Sequence, residues 1–453
     1  MIYQVQADNK EINAQNINEW IKDFKANIQP HRIELGNYYD GQNKIIKQGA
    51  IKGRPNYSVN VNMAKYIIDV ATSYAFGLPI SYDAQEERTQ DLLEKIKYVN
   101  KICNMPEVDF QQGGDMATYG VSYQLVLVKD TNEPLEDRII IKRLKPEQTF
   151  YVVDNTILEN PVCGVYFYEY KENNQIKTKA YAYDELNLYE FDGAYGMVEL
   201  TDIRPHNMGA IPLLQCLNND DAFSDIECVT DLLDALSLAI SNNTDNLQSI
   251  ANAILAVSGG VLNEEQIKLI NQEKTMNLPV GAKAEWIIKN INPEAERMQI
   301  DNLLKFLFQI SQVPDLTDDA FGGNQSGVAM QYKLWGMDQL WVTKTAKYEK
   351  AVYQRLKILL HLLQYNFNNS QLISDVDIVF FKNLPQDNST EYQMVQALKG
   401  VVSDRTLLRN ISIVDDVDAE LDELDKQAEK NADLYGFNNN PSLNDEDNKV
   451  DGE

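Results

Sequence analysis

The sequence predicts an α+β chain in which a β-rich block sits between long helices, followed by an acidic helical end. Three observations carry that reading. Residues 121–216 hold short runs of alternating apolar residues broken by Asn, Asp and Gly, the period of strands. Residues 225–257 and 326–367 read as two long helices. The stretch YSVNVNMAKYIIDVATSYAFGLPISYD at 57–83 passes from strand period to helix period and stops on FG-x-P.

Each element follows in order. Trp20, Ile21, Phe24 and Ile28 give a helix over about 16–39, ended by the turn Asp40-Gly41. Lys44, Lys47, Lys52 and Arg54 among glycines predict a solvated loop. Val59 and Val61 alternate with asparagines as in a half-buried strand. Met63, Ile67, Val70, Ala71 and Tyr74 then set a helix packed on most sides. Gly77 stands where a left-handed cap is expected, and Pro79 forbids continuation, so that Ile80-Ser81-Tyr82 enter a sheet. A helix over 89–102 precedes candidate strands at 123–128, 139–144, 162–170, 177–183, 188–191 and 198–200.

Ser224 is the expected N-cap of the 225–257 helix, with Asp225 and Glu227 at the positive end of its dipole. Its second half carries a polar face of Asn242, Asn243, Asp245, Asn246, Ser249 and Asn252, which suits a subunit wall or a channel lining. A short helix and two short strands follow, then a helix over 296–313 stopped by Pro314. PDLTDDAFGGNQSG is a loop. The next helix holds Leu334, Trp341, Tyr348, Val352, Leu359 and Leu363 at spacings of four or seven, with Gly336 as a weak point or kink. The strand DVDIVFF, a helix near 392–399 and an amphipathic helix seamed by Val417, Leu421, Leu424 and Ala428 complete the chain. From Asn438 onward apolar residues nearly vanish, so disorder is expected.

The 453 residues have ordinary hydrophobic content, 44%, but a net charge of −27. A surface so acidic lacks the cations that neutralise phosphates and is not expected to be a conventional DNA-binding domain or to bind anionic membranes. The amino terminus has no basic and apolar signal pattern, and no run reaches the roughly 18 apolar residues of a membrane span. Cys103, Cys163, Cys216 and Cys228 lack metal or framework spacing, so free thiols in a reducing cytoplasm are expected.

Chemistry finds little material. There is no phosphate-cradling G-x-x-x-x-G-K-[ST]; FGGNQSG lacks the lysine and follows no apolar strand. DDVDAELDELD suggests a calcium loop through Asp416, Asp418 and Glu420, but Leu421 stands where that loop needs glycine. With three histidines (His31, His206, His361) and no ligand cluster, neither a metal, a cofactor nor catalysis is expected.

The segments YYDGQNKI (38–45), VNMAKYIIDVATSYAFGLPISY (61–82), NMGAIPLLQCLNN (207–219), the 224–257 helix and FGGNQSGVAMQYKL (321–334), in this order, resemble portal proteins of tailed bacteriophages. The type is that of long-tailed phages of Gram-positive hosts. The resemblance implies a portal-protein fold with an α/β wing, a long-helix stem, a small α/β clip and a short helical crown. Carried onto this chain, it divides as wing 1–224, stem helix 225–257, clip 258–295 and second stem helix 296–313. A tunnel loop at 314–327, wing spine helix and strand at 328–385, crown helices at 386–436 and a disordered acidic tail at 437–453 follow. The chain is short for the family, with a compact carboxyl-terminal region where a large crown would stand.

The implied function is a ring, usually of twelve copies, at one capsid vertex, assembled in the host cytoplasm and retained in the virion. It admits double-stranded DNA during packaging and releases it during ejection. Implied partners are the terminase large subunit, major capsid and scaffolding proteins, and a head-completion or adaptor protein. The implied tunnel-loop contacts are Asp315, Asp318, Asp319, Asn324, Gln325 and Ser326. Asn242, Asn243, Asp245, Asn246 and Ser249 would line the stem. Glu264, Glu265, Lys268, Lys274 and Trp286 would meet partners at the clip. Two other readings stay open: a ring-forming virion connector without a docked motor, and a metal-dependent phosphoesterase using Asp318 and Asp319.

Overall fold

The computed structural model describes residues 5–7, 10–43, 56–84, 87–251, 254–259, 281, 283–287, 292–317, 327–363, 376–384, 395–409, 411, 414 and 417–434. The chain divides into two compact units, residues 1–383 and 384–453. Strands of the first unit are β1 (Val5–Ala7), β2 (Ser81–Ala84), β3 (Val121–Val128), β4 (Ile139–Leu144), β5 (Thr149–Asp154), β6 (Pro161–Glu172) and β7 (Gln175–Tyr183). They continue with β8 (Asn187–Ala194), β9 (Met197–Pro205), β10 (Leu213–Leu217), β11 (Ile254–Ser258), β12 (Lys283–Ile287) and β13 (Val376–Val379). Its helices are α1 (Ala14–Asn27), α2 (Gln29–Tyr39), α3 (Met63–Phe76), α4 (Glu87–Ile102), α5 (Met105–Tyr119), α6 (Leu135–Arg138), α7 (Thr230–Ala251), α8 (Pro293–Ser311) and α9 (Gly327–Leu362). The second unit has α10 (Asp404–Arg409) and α11 (Val417–Leu434).

The face of α1 that the sequence marks as apolar is buried on a sheet of order β1-β5-β6-β7-β8-β9, antiparallel except for β1 on β5. Ile17, Trp20, Ile21, Phe24 and Ile28 meet Phe150, Val165, Phe167 and Phe191 in one core. Phe24 stacks on Phe150 with centroids 4.7 Å apart and meets Phe167 edge-on. Helix 16–39 of the sequence reading is two helices. It breaks at Ile28 because Pro30, in the first turn of α2, cannot continue α1.

The free edge of this sheet, β9, is closed to pairing at several points. The side chain of Asn18 accepts the Val198 N–H at 2.9 Å and donates to the Val198 carbonyl at 3.0 Å. The β8–β9 register shifts at Glu190/Phe191, and Pro205 ends the strand.

A second sheet, β10-β3-β4, carries the central helices on one side. Helix α3 begins at Asn62, whose side chain accepts the Lys65 N–H, and buries Ala64, Ile67, Ile68, Ala71, Tyr74, Ala75 and Phe76. Its exit does place Ser81–Ala84 in a sheet, as β2 antiparallel to β13. The cap is not left-handed, however: Gly77 has φ −72. Glycine is needed there for space, since a Cβ would lie 2.3 Å from the Ser73 carbonyl oxygen and 2.4 Å from Asn383 Nδ2. Helix α5, which the sequence does not announce, packs Gly113 so tightly under Phe76 that a Cβ would lie 2.2 Å from the ring.

Helix α9 crosses the unit over 36 residues. Tyr348, Val352 and Leu359 of its predicted seam are buried, and Trp341 and Leu363 are partly so. Gly336 serves a helix crossing, its Cβ position lying 2.9 Å from the Gln312 carbonyl oxygen. The same buried side of α9 holds two cations. Arg355 donates to Asp109 of α5 at 2.8 Å, to Tyr82 of β2 at 2.8 Å and to Gln124 of β3 at 3.3 Å. Lys344 donates to Asn218 at 2.6 Å and pairs with Asp225 at 2.7 Å.

In the second unit, α10 and α11 are neighbours, and the latter is the helix expected there, although Leu424 and Ala428 of its expected seam are exposed. Residues 392–394 of the helix expected near 392–399, and the acidic tail 437–453, lie outside the described residues.

Candidate functional site

The long helix pair α7/α8 and the segments at its two ends are where the sequence places function. Ser224, expected as the N-cap of a helix from 225, instead closes the turn before it: its Oγ accepts the Ile226 N–H, while Glu227 accepts the Ser224 N–H. The chain then makes one 3-10 turn, Glu227–Val229, before α7 proper. Asp225 is not a dipole ornament, since it is buried against Lys344. The pair therefore ties the root of α7 to the middle of α9.

The polar face of α7 is partly occupied. Ser237, Ser241 and Asp245 stand at i, i+4 and i+8, one stripe of a helix. They accept the backbone N–H groups of Val61 (3.3 Å), Val59 (2.9 Å) and Tyr57 (2.7 Å). Residues 57–61 are thus no strand in a ladder; their donors are met by side chains of α7. Asp234 extends the docking by accepting from Tyr38 Oη at 3.0 Å and Asn43 Nδ2 at 2.9 Å. Burial, with the Asp234 carboxylate beside it, raises the Tyr38 pKa.

Helix α8 starts at Asn292, whose side chain accepts the Ala295 N–H, with Pro293 in its first turn and Glu294 and Glu296 at the positive end of the dipole. Asn246 of α7 donates to Glu296 of α8 at 2.8 Å. A cleft of about 550 Å³ lies between the two, lined by Leu238, Asn242, Asn243, Asp245, Gln299 and Ile300 among others. Of the expected channel face, Asn242 is exposed, Asn243 is half-buried, and Asp245 and Asn246 hold the contacts just given. The side chain of Ser249 lies outside the described residues.

Helix α7 ends at Ala251, six residues before the expected end. Ile254–Ser258 instead pair with Lys283–Ile287, Leu255 opposite Trp286. The run ILAV satisfies either period, and the partner strand decides it. Of the expected clip residues, Trp286 lies on β12, its side chain outside the described residues. Glu264, Glu265, Lys268 and Lys274 lie outside them altogether.

The loop after α8 has a defined root. Tyr66 Oη donates to the Pro314 carbonyl at 3.0 Å and accepts the Leu316 N–H at 2.9 Å. Tyr66 also meets Phe308 edge-on, and burial raises its pKa. Asp315 turns inward to Thr317, accepting its N–H and hydroxyl. Asp318, Asp319, Asn324, Gln325 and Ser326 lie outside the described residues. The apolar helix α3 therefore anchors the point from which the loop departs, a role the sequence left unstated for Tyr66.

Elsewhere, Asp115 is buried beside Arg143, which donates to both of its oxygens at 2.5 Å. Burial outweighs the guanidinium and pushes its pKa up to about 6. Among the described residues no group of three His, Cys, Asp or Glu is placed to hold a metal ion, and no helix is long and apolar enough to cross a membrane.

Comparison with known proteins identifies the family. The family described as phage portal protein, SPP1 Gp6-like, matches residues 18–434. The portal protein of Clostridium phage phiCD119 is 21% identical over 440 residues, covering 89% of this chain and 94% of that protein. The portal protein of Bacillus phage SPP1 is 19% identical over 407 residues, covering 82% and 76% respectively. A chain of the solved structure "Neck of empty GTA particle computed with C6 symmetry" overlaps 76% of this chain and 87% of its own, at 13% identity and a TM-score of 0.47. With the family pattern running through both long helices and nearly all of the β block, the chain belongs to the phage portal protein family, SPP1 Gp6-like.

Proposed function

We propose that copies of this chain close into a ring, twelve in number, at one vertex of a phage capsid. The ring is the conduit through which double-stranded DNA passes inward during packaging and outward during ejection. The observation that carries the reading is the family match over 18–434, which spans both members of the long helix pair. On this reading 225–257 and 296–313 form the stem, 258–295 the clip, 314–327 the tunnel loop, 328–385 the spine and 386–436 the crown. The clip is the docking site of the terminase large subunit and later of a head-completion or adaptor protein. The wing meets the major capsid and scaffolding proteins. Assembly takes place in the host cytoplasm, the ring stays in the virion, and its role is structural rather than catalytic.

The mechanism follows from charge. Twelve copies at −27 each carry a formal −324 (12 × −27). Duplex DNA carries one negative charge per roughly 1.7 Å of axis, so the wall repels it. A duplex that must move both ways then meets a surface with little to hold it. The tunnel loop supplies transient contacts through Asn324, Gln325 and Ser326, while Asp315, Asp318 and Asp319 keep them weak. Electron micrographs of the purified protein test the reading: annular particles with an axial hole are expected. Material that stays monomeric at high concentration, and is absent from assembled phage particles, overturns it.

A further inference from the structure

We propose that residues 57–66 act as one clamp that holds α7 at one end and the root of the loop after α8 at the other. Tyr66 is the positioning residue of that loop, and the two grips are energetically coupled. The functional meaning of the clamp rests on the tunnel-loop reading, to which it adds the residues that set where the loop departs.

The grip on α7 is a match of two periods. Residues 57, 59 and 61 present alternate N–H groups to Asp245, Ser241 and Ser237. Two residues of an extended chain advance about 6.6 Å. Four residues of a helix advance about 6 Å, so the two ladders stay in step over three rungs. The Ser241 hydroxyl also donates to the Val59 carbonyl at 3.3 Å. Ser237 and Ser241 are buried, so water does not stand in for either as acceptor. Asn60 joins Ser237 Oγ, at 3.5 Å, to the Gly41 carbonyl, at 2.9 Å, and the turn after α2 thereby backs the segment.

The grip on the loop is a single hydroxyl. Val313 is fully buried, but beyond it the chain emerges, and Leu316 is 47% exposed. Among the described residues, Tyr66 makes the polar contacts that tie 314–317 to another element: its Oη donates to the Pro314 carbonyl and accepts the Leu316 N–H. Its ring rests edge-on against Phe308 in the last turn of α8.

Little slack lies between the two grips. The Met63 N–H donates to the Val61 carbonyl at 2.7 Å, and Asn62 caps α3 through the Lys65 N–H at 3.1 Å. Asn62 Nδ2 donates in turn to the Tyr39 carbonyl at 2.9 Å. Tyr66 is the fourth residue of α3, five residues past the last rung on α7. Of that first turn only the small Ala64 is buried; Met63 and Tyr66 are half-buried and Lys65 is exposed. The turn is therefore held by its cap and by what it grips, which makes 57–66 one unit of local opening.

Hydrogen exchange of the full chain, read by mass spectrometry on peptides covering 57–61 and 313–317, tests the coupling. Tyr66→Phe keeps the ring and removes the hydroxyl. Exchange at 313–317 is expected to rise about tenfold, the effect of an amide losing its partner. Exchange at 57–61, which the hydroxyl does not touch, should rise about 2- to 30-fold, the span of couplings carried through packed networks. Ser237→Ala/Ser241→Ala is the converse perturbation. It should loosen 57–61 directly and, because coupling is reciprocal, loosen 313–317 within the same range. In a Tyr66→Phe background the serine pair should no longer affect 313–317, because the hydroxyl that links the two grips is gone. Exchange in β6 should be unchanged throughout, which separates coupling from general loss of stability. The inference is overturned if 313–317 ignores the serine pair or responds equally with and without the Tyr66 hydroxyl. Should the serine pair not fold, unchanged exchange at 57–61 in Tyr66→Phe overturns it alone. Coupled exchange together with normal DNA filling of particles lacking 318–325 removes the tunnel-loop reading and leaves the clamp standing. Uncoupled exchange together with defective filling removes the clamp only.

Discussion

Replacing Arg355 with leucine probes the polar contact that joins α9, α5, β2 and β3 of the first unit. The guanidinium is fully buried and donates to Asp109, Gln124 and Tyr82, while Asp109 also accepts from Tyr348 Oη at 2.7 Å. Removing the cation leaves a buried carboxylate with one neutral donor. Breaking such a pair on one side costs about 3–5 kcal/mol. Urea unfolding followed by far-ultraviolet circular dichroism should show a loss of that size for Arg355→Leu and a comparable one for Asp109→Leu. The double variant should be more stable than either single one, because no unpaired charge remains inside. The reasoning is refuted if Arg355→Leu lies within about 1 kcal/mol of wild type or if the two single losses simply add.

Three further outcomes are expected. Asp115 titrates near 6 in the folded chain and near 3.8 unfolded, so between these values the folded state binds more protons. Wild type should therefore gain stability relative to Asp115→Asn as pH falls from about 6.5 to 4.5, with the difference flat above pH 7; a pH-independent difference in urea midpoint contradicts this. Gly113→Ala should cost about 1–3 kcal/mol through its clash with Phe76, measured by thermal melting, and Phe76→Leu should relieve part of it. Deleting 318–325 should leave ring formation intact while lowering DNA packaging or retention, and normal filling of particles by the deletion variant counts against the tunnel-loop proposal.

The sequence shows an element clearly where its buried side is apolar. MAKYIIDVATSYAF in α3 and the WIKDFKANI run of α1 and its exit are such cases, and both pack as read. Helix α5 is hidden because Asp109, Gln112 and Asp115 face inward, so its buried side looks solvated. Lys344 and Arg355 mislead in the same way: their acidic partners lie more than a hundred residues away in sequence. Strand β5, TFYVVD, is buried at every position and shows no alternation to find. Along α7, Asp245 belongs to the face the sequence marks as polar, but Ser237 and Ser241 do not, and only the fold brings residues 57–61 onto the stripe the three make. Caps act on their immediate neighbours, as Asn62 and Asn292 do, yet of the caps, the sequence marks only Ser224, whose turn precedes α7 rather than opening it.

The guarded rim of the larger sheet matters for a protein proposed to gather in many copies. Exposed backbone donors and acceptors along a strand invite an incoming chain to zip on without regard to sequence, and such growth has no natural stopping point. By filling both hydrogen-bonding groups of Val198 from Asn18, and by ending the strand on proline, the fold blocks that route at both ends of the strand. On the ring proposal, subunits are then left to find one another through side chains, where geometry rather than backbone repetition sets how many join.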